Sequence, residues 1–449
     1  MILKRPLTLA IVSLALLGLF PLSAAMAEQR EFRWKIATLA PKNVGWAQQV
    51  NSLVLPWISH ATNDALKLKI YWGGVMGNDQ EYLQKMKIGQ LQGAGVSGMG
   101  ANMACPEFSI LGLPFLFKSY DEVDYIRRLM FSTFDYYFSS HGYKMLMWID
   151  QDFDECFSTK YPMTSLDDFK KCRFQNWYGP VEAATVQALG ASPIVTTVIE
   201  GHSAFRSGVI DTAFGPAVYY AGSQLFTAMR YVNPMKIRYA PGIILVVKKE
   251  WEALPEDLQD NLEAGRDRVQ AAFVKGTRDE NQKTLEGMIK YGIKLTELSP
   301  SVRAEFVKRT RPVWDQFAGQ LYPKHLLDEV LRYLDGLRAG KPIKAPRFKA
   351  PQAAAPKPAA GEPSARASQP AAAGKSADSS AGLSGWERRK LEVRKVQEKL
   401  SAMGYYKGEI DGVFGPMTQQ AILDYQDAKG LFENGAIDRR LLRSLGISD

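Results

Sequence analysis

Histidine is scarce in this chain. Only His60, His141, His202 and His325 occur in 449 residues. None stands in the His-x-x-x-His or His-Cys spacing of a metal site. No Gly-x-Ser-x-Gly elbow is present to raise a nucleophile on a strained turn. Asp152 and Asp154 are a carboxylate pair, but such pairs on a loop ordinarily do no more than face water. No enzyme, cofactor or metal is therefore expected. A dense Lys/Arg face with interleaved aromatics is also lacking, which argues against nucleic acid as a partner. The net charge of +9 falls to +7 without Lys4 and Arg5, and residues 345–384 carry about +3 of the remainder. The folded parts are only mildly basic.

Long apolar runs are absent except for one, Leu9 to Leu22, which is short for a membrane span. Lys4 and Arg5 precede it and Ala25-Met26-Ala27 follows it. That order predicts a signal peptide over residues 1–27, cut after Ala27, and a mature protein that is soluble in the periplasm. No cysteine follows the run, so no lipid anchor is expected. Only three cysteines occur, Cys105, Cys156 and Cys172. An oxidising compartment favours a disulfide and leaves one thiol over. Cys156 and Cys172 are the candidate pair, and three buried thiols are the alternative.

What the chain does contain divides it into three parts. Residues 28–343 alternate strand and helix patterns. Phe32 to Leu39 and Leu66 to Trp72 read as strands, with Trp46, Val50, Leu53, Trp57 and Ala61 at helical spacing between them. Asp79 is placed to cap a helix that runs to Gly89, and Ala94 to Ser97 reads as a further strand. This alternation predicts an α/β unit with a mainly parallel sheet. From Pro255 to Leu337 the pattern is mostly helical. Residues 344–385 are rich in Ala, Pro, Ser and Lys and nearly free of large apolar side chains, the composition of a disordered tether. Residues 386–449 regain helical stripes, at Val393, Val396, Leu400 and Met403, at Ala421, Ile422 and Tyr425, and at Leu441, Leu442 and Leu445. They predict a small three-helix all-α domain.

Within that last part, the run Ile410-Asp411-Gly412-Val413-Phe414-Gly415-Pro416, with Thr418 behind it and Gly404-Tyr405-Tyr406-Lys407-Gly408 before it, resembles the peptidoglycan-binding domain of many cell-wall hydrolases. Gly404, Gly408 and Gly412 suit tight turns, Asp411 suits a turn and Thr418 a helix start. Candidate wall contacts are Tyr405, Tyr406, Asp411 and Phe414. Core packing is the alternative for the aromatics, and for Phe414 it is the preferred one. The domain has no nucleophile or metal set, so it is expected to bind and not cut.

The large unit resembles the solute receptors of tripartite ATP-independent periplasmic (TRAP) transporters. The likeness is carried by Ile36-Ala37-Thr38-Leu39-Ala40-Pro41, Tyr71-Trp72-Gly73-Gly74-Val75-Met76-Gly77, Leu111-Gly112-Leu113-Pro114-Phe115-Leu116-Phe117 and Leu189-Gly190-Ala191-Ser192-Pro193, and by their order. The resemblance implies a two-lobed periplasmic-binding-protein-like fold with long C-terminal helices, a small-molecule solute in the cleft, and TRAP-type membrane permease subunits as partners. By position in the family the ligand-binding candidates are Trp46, Trp72, Met76, Asn102, Asp154, Gln175, Asn176, Phe214 and Tyr219. Small residues in Ser97-Gly98-Met99-Gly100-Ala101-Asn102 also suit close approach of backbone amides to a ligand.

Two departures qualify this. The family usually carries an arginine fifteen residues before the Gly of Gly-Ala-Ser-Pro, where it pairs bidentately with a ligand carboxylate. Counting back from Gly190, that position holds Gln175. A second family arginine falls near Asp154. A carboxylate buried without a cation is costly, so the expected ligand is neutral or cationic rather than a simple carboxylate. Arg173, on the same strand face as Gln175 but roughly 6–7 Å back, is the one nearby cation that could restore the usual pairing. The function expected is thus a periplasmic TRAP-type receptor tethered to the cell wall through peptidoglycan. The alternative is an envelope sensor or structural wall-bound protein that kept the receptor fold and lost transport.

Overall fold

The structure, a computed structural model, describes residues 31–343 and 385–447, without the side chains of 385 and 386. The expected signal peptide and nearly all of the tether lie outside the described residues. No described helix is long and apolar enough to cross a membrane.

Eleven strands are described: β1 (Phe32–Thr38), β2 (Leu66–Tyr71), β3 (Gly93–Val96), β4 (Tyr143–Phe153), β5 (Glu155–Ser158), β6 (Arg173–Asn176), β7 (Ser192–Val195), β8 (Thr212–Gly215), β9 (Tyr231–Asn233), β10 (Tyr239–Val247) and β11 (Lys294–Leu295). They form two sheets, of order β2-β1-β3-β10-β4 and β11-β9-β5-β8-β6-β7. In β1, Trp34 and Ile36 turn inward while Arg33 and Lys35 face water. That two-residue alternation is what the sequence pattern anticipates. Lys67 and Lys69 keep edge strand β2 polar.

The expectation of mainly parallel sheets needs correction. β1 runs parallel to β2 and β3, but β10 is antiparallel to both β3 and β4. In the second sheet β5 is antiparallel to β8 and β9. The cause lies in the crossings between lobes. The chain leaves the first sheet at Phe153, enters the second at Glu155, and returns into β10 after β9. A returning strand meets the first sheet from the opposite end.

The helix Glu256–Tyr291 braces both lobes. At 1.5 Å per residue its 36 residues reach about 54 Å. Leu262, Val269 and Phe273 join the apolar cluster under the first sheet, whereas Leu285 and Met288 join that of the second lobe. The helix after Gly77 starts one residue earlier than expected. Asn78 is its cap, accepting from Glu81 N–H while the Glu81 carboxylate accepts from Asn78 N–H. Asp79 is buried instead, with Ser97 donating to its carboxylate.

The C-terminal part has the three expected helices, Gly385–Ala402, Pro416–Lys429 and Arg439–Leu445. Val393, Val396, Leu400, Ile422, Tyr425 and Leu441 form its core, and Met403 is exposed. This module docks on the large α/β unit. The Phe414 ring stacks on Tyr136 with centroids 5.7 Å apart. Thr133 donates to the Phe414 carbonyl at 3.0 Å, Gln419 to Ser132 at 2.6 Å, and Arg389 pairs with Glu107 at 2.8 Å.

All three cysteines are buried and unbonded, which matches the alternative of three buried thiols and not the candidate Cys156–Cys172 pair. Both sit in one apolar cluster with Phe169, Phe174 and Phe214, and Cys172 Sγ donates to the Phe169 carbonyl at 3.1 Å. Burial pushes the Cys172 thiol up to about 12, so it is held protonated and unreactive.

Candidate ligand-binding cleft

Between the lobes lies a cavity of about 440 Å³, within the range that holds small solutes. The first lobe supplies Thr38 to Pro41, Val44 to Trp46, Ser97 and Gln151. The second supplies Gln175, Trp177, Val198, Ile199 and the segment from Pro216 to Ser223. The long helix contributes Glu280 and Thr284.

Three of the nine expected residues line it: Trp46, Gln175 and Tyr219. Trp46 Nε1 donates to the Asp150 carbonyl at 2.9 Å, and its ring packs edge-on against Phe273 at 6.3 Å. A Cβ on Gly242 would lie 2.3 Å from that ring, so only glycine admits it. Tyr219 donates to the Val198 carbonyl at 3.0 Å. Gln175 Nε2 donates to Thr196 at 2.9 Å.

The other six do not line this cavity. Trp72 borders a separate crevice of about 40 Å³ beside Trp46 and Phe273. Met76 packs on the first-lobe core, and Asn102 lies on the helix Gly98–Ala104. Of the Ser97 to Asn102 run only Ser97 lines the cavity, because Gly98 is covered by the Tyr178 ring. Phe214 is core, tilted against Phe174 at 4.5 Å. Asn176 is buried near Glu182.

Asp154 is fully buried and ion-paired to Arg238, whose guanidinium also reaches Glu182 at 2.8 Å and stacks over Tyr178 at 3.8 Å. It belongs to a buried charge network at the crossing between lobes, not to a solvated loop as the sequence suggested. Asp150 accepts from Arg127, from Tyr239 at 2.5 Å and from Arg278 at 2.6 Å. Arg278 also grips Asp124 with two bonds, at 2.7 and 2.8 Å. Asp152 accepts from Tyr120, and burial pushes its carboxyl up to about 7. The residue holds a positive φ of 130° at the turn into the second lobe.

Arg127, Arg238 and Arg278 are thereby all paired with carboxylates of the chain. Arg173 does not restore the missing charge. Its Nε pairs with Asp211 at 3.3 Å, its side chain is half exposed, and it does not line the cavity. Among the lining residues there is no lysine or arginine, and Glu280 is the one charged side chain. Sequence reading missed Glu280 and Trp177. Trp177 stands two residues after Gln175 and shares its route into the cleft. Nothing in the local sequence separates Glu280 from Asp279 or Glu286 on the same helix.

In the module, the motif residues act mostly within the fold. Tyr406 and Phe414 are buried. Gln397 organises the turn, donating to Tyr406 at 3.1 Å, to Asp411 at 2.9 Å and to Thr418 at 3.1 Å. Asp411 also accepts from Val413 N–H at 2.8 Å, and Gly412 takes a φ of 73°. Thr418 is the third residue of its helix, in the first turn behind the cap Gly415. Only Tyr405 and Asp411 of the four expected contacts are partly exposed, Tyr405 resting edge-on against Tyr425 at 5.4 Å.

Comparison with known proteins agrees with both parts. The model of bacterial extracellular solute-binding protein, family 7, matches residues 37–320, and a peptidoglycan binding domain model matches residues 389–445. The C4-dicarboxylate-binding periplasmic protein DctP of Rhodobacter capsulatus is 24% identical over 268 residues, 58% of this chain and 79% of the relative. The 2,3-diketo-L-gulonate-binding periplasmic protein YiaO of Escherichia coli is 20% identical over 285 residues, 62% of this chain and 84% of the relative. Among solved structures, the sugar acid binding protein DctPAm of Advenella mimigardefordensis, in complex with galactonate, is similar with a TM-score of 0.64 at 19% identity. The match covers 69% of this chain and 99% of that one. A TRAP periplasmic solute binding protein from Desulfovibrio salexigens with bound orotic acid also reaches 0.64, at 19% identity, covering 69% and 100%.

Proposed function

The chain belongs to the family 7 bacterial extracellular solute-binding proteins and carries a C-terminal peptidoglycan-binding domain, and from that premise we propose that it is a periplasmic TRAP-type receptor, held at the cell wall, whose solute is neutral or cationic and not a simple carboxylate. Similar proteins are named for, or hold, organic acids. The observation that carries the difference is the cavity lining, which has Gln175 where the family arginine is expected and no other lysine or arginine. An acid in this cleft would lose water without gaining a counter-charge.

The receptor role makes a membrane permease the natural acceptor of the solute. Wall binding keeps the receptor in one layer of the envelope, where its effective concentration at a permease is raised. Calorimetric titration of the full chain with dicarboxylates, sugar acids, polyols and organic amines tests the ligand reading. Binding confined to polyols or amines is expected, and tight binding of the acids alone would refute it. Co-sedimentation with purified sacculi tests the wall reading. The full chain should pellet and a chain ending at Ile343 should not.

A further inference from the structure

Glu280 stands apart from its neighbours on the long helix. Arg278 is tied to Asp124 and Asp150. Asp279 pairs with Lys275 at 2.5 Å, and Asn281 donates to Glu155 at 3.0 Å and accepts from Val218 N–H at 3.1 Å. Glu280 is one of the residues that line the cavity instead. Its Oε1 accepts from Gly45 N–H at 2.9 Å, which anchors the loop leading to Trp46. Its Oε2 is shielded from water and has no hydrogen-bond partner. No ion pair engages Glu280 among the described residues. A carboxylate oxygen buried without a donor is unfavourable unless something fills the site.

The aromatic lining fits one kind of occupant. The polar edges of the rings are already engaged with backbone carbonyls: Trp46 with Asp150, Trp177 with Phe214 and Tyr219 with Val198. What these rings offer the cavity is carbon surface and π density, which attracts a cation within about 6 Å of a ring centroid.

We propose that the cavity takes a small organic cation, an ammonium group on a short, weakly polar body, with the Glu280 carboxylate turning toward it as its counter-charge and Trp46, Trp177 and Tyr219 around it. This rests on the receptor reading above and narrows its ligand class. A neutral solute would leave Glu280 Oε2 without a charged partner, and an acid would meet it as a like charge. The cation gives the unpartnered Glu280 carboxylate oxygen a partner of opposite charge.

The test uses the full chain and calorimetric titration with choline, its uncharged isostere 3,3-dimethylbutan-1-ol, putrescine, xylitol and succinate. Glu280→Gln is the informative variant, because its retained oxygen still accepts from Gly45 while the free position loses its charge. Asp279→Asn, one residue away and outside the cavity, controls for a general change of field. Binding of choline or putrescine to the native chain is expected, at least tenfold tighter than the isostere or xylitol. Glu280→Gln should weaken it about tenfold or more, and Asp279→Asn should leave it unchanged. Equal cation binding by Glu280→Gln would overturn the proposal. So would binding of xylitol alone, which leaves the neutral-ligand reading standing. Binding of succinate alone would overturn both ligand readings but not the receptor role. If no compound in the panel binds, the proposal falls, while the receptor reading, which rests on the family match, stands.

Discussion

At the seam between the C-terminal module and the receptor, Arg389 meets Glu107 at 2.8 Å, Arg443 meets Glu256 at 2.7 Å and Arg440 pairs with Asp260. In the cavity between the lobes no arginine or lysine lines the wall, and one carboxylate oxygen stands unpartnered. The chain has 56 basic residues, so the cavity is not poor in cations for want of them. Arginines occur where a carboxylate of the same chain awaits them, at the docking seam and at the crossing between lobes. The cleft is left with the opposite sign. A charge completed within the fold reports on architecture, whereas a charge left incomplete reports on a partner that comes from outside.

The largest effect that bears on this comparison is expected at the seam. Phe414→Ala removes a buried ring from the module core and its stack on Tyr136, at a cost of about 3–5 kcal/mol. Scanning calorimetry should show the module melting well below the receptor. An unchanged melt would mean that Phe414 acts as a wall contact and not as core. Arg389→Ala comes next. It strands Glu107, which is 7% exposed, beside His141, and about 2–3 kcal/mol of docking should be lost. Faster amide exchange in the helix Tyr120–Ser140 would report it, and unchanged protection there would show that the ion pair does not hold the seam.

Asp152 gives a smaller, pH-dependent effect. In an unfolded chain its carboxyl ionises near 4, but in the fold it holds its proton to about 7 because it is buried. The folded state therefore binds the extra proton between those values. Its stabilising contribution is complete below about pH 4 and disappears as pH rises through about 7. Asp152→Asn keeps an acceptor for Tyr120 and does not ionise. Its fall in Tm between pH 5 and 8 should be shallower than that of the native chain by a few degrees. Parallel curves would mean that the group is not buried at the crossing as described. The smallest stability effect belongs to the cleft. Glu280→Gln keeps the Gly45 bond, and its unfolding free energy should stay within about 0.5 kcal/mol of native. A large loss there would make Glu280 a structural residue like Glu107, and the contrast between seam and cleft would fail.

The sequence made the architecture legible because its signals are local. Alternation in β1, the helical stripes of the module and the turn at Gly412 all follow from neighbouring residues, and each is present in the structure. The mixed sheet direction was hidden, since β10 is reversed only by a return crossing far along the chain. In the site, Trp46, Gln175 and Tyr219 line the cavity as family position implies, and Gln175 marks one missing cation, whereas only the structure shows that Arg173 turns to Asp211 and does not replace it. Asp154 and Phe214 were misplaced because pattern shows which residues are near the cleft, not which way they turn. Asp154 turns to Arg238 and Phe214 to Phe174. The motif of the module was recognised correctly; Phe414 is buried, as the preferred core reading has it, and Tyr406, open between core and wall contact, is buried too. A recurrent aromatic in a small domain is as readily a folding requirement as a binding one.

This family member has a cleft whose lining carries no lysine or arginine to bind an acid. The most direct measurement is the identity of the solute that accompanies the protein. The full chain would be isolated from its own envelope without added ligand, denatured, and the released small molecule identified by mass spectrometry. An amine or an uncharged solute is expected, present in near-stoichiometric amount and absent from denatured Trp46→Ala protein. A di- or monocarboxylic acid released at the same stoichiometry would contradict the account.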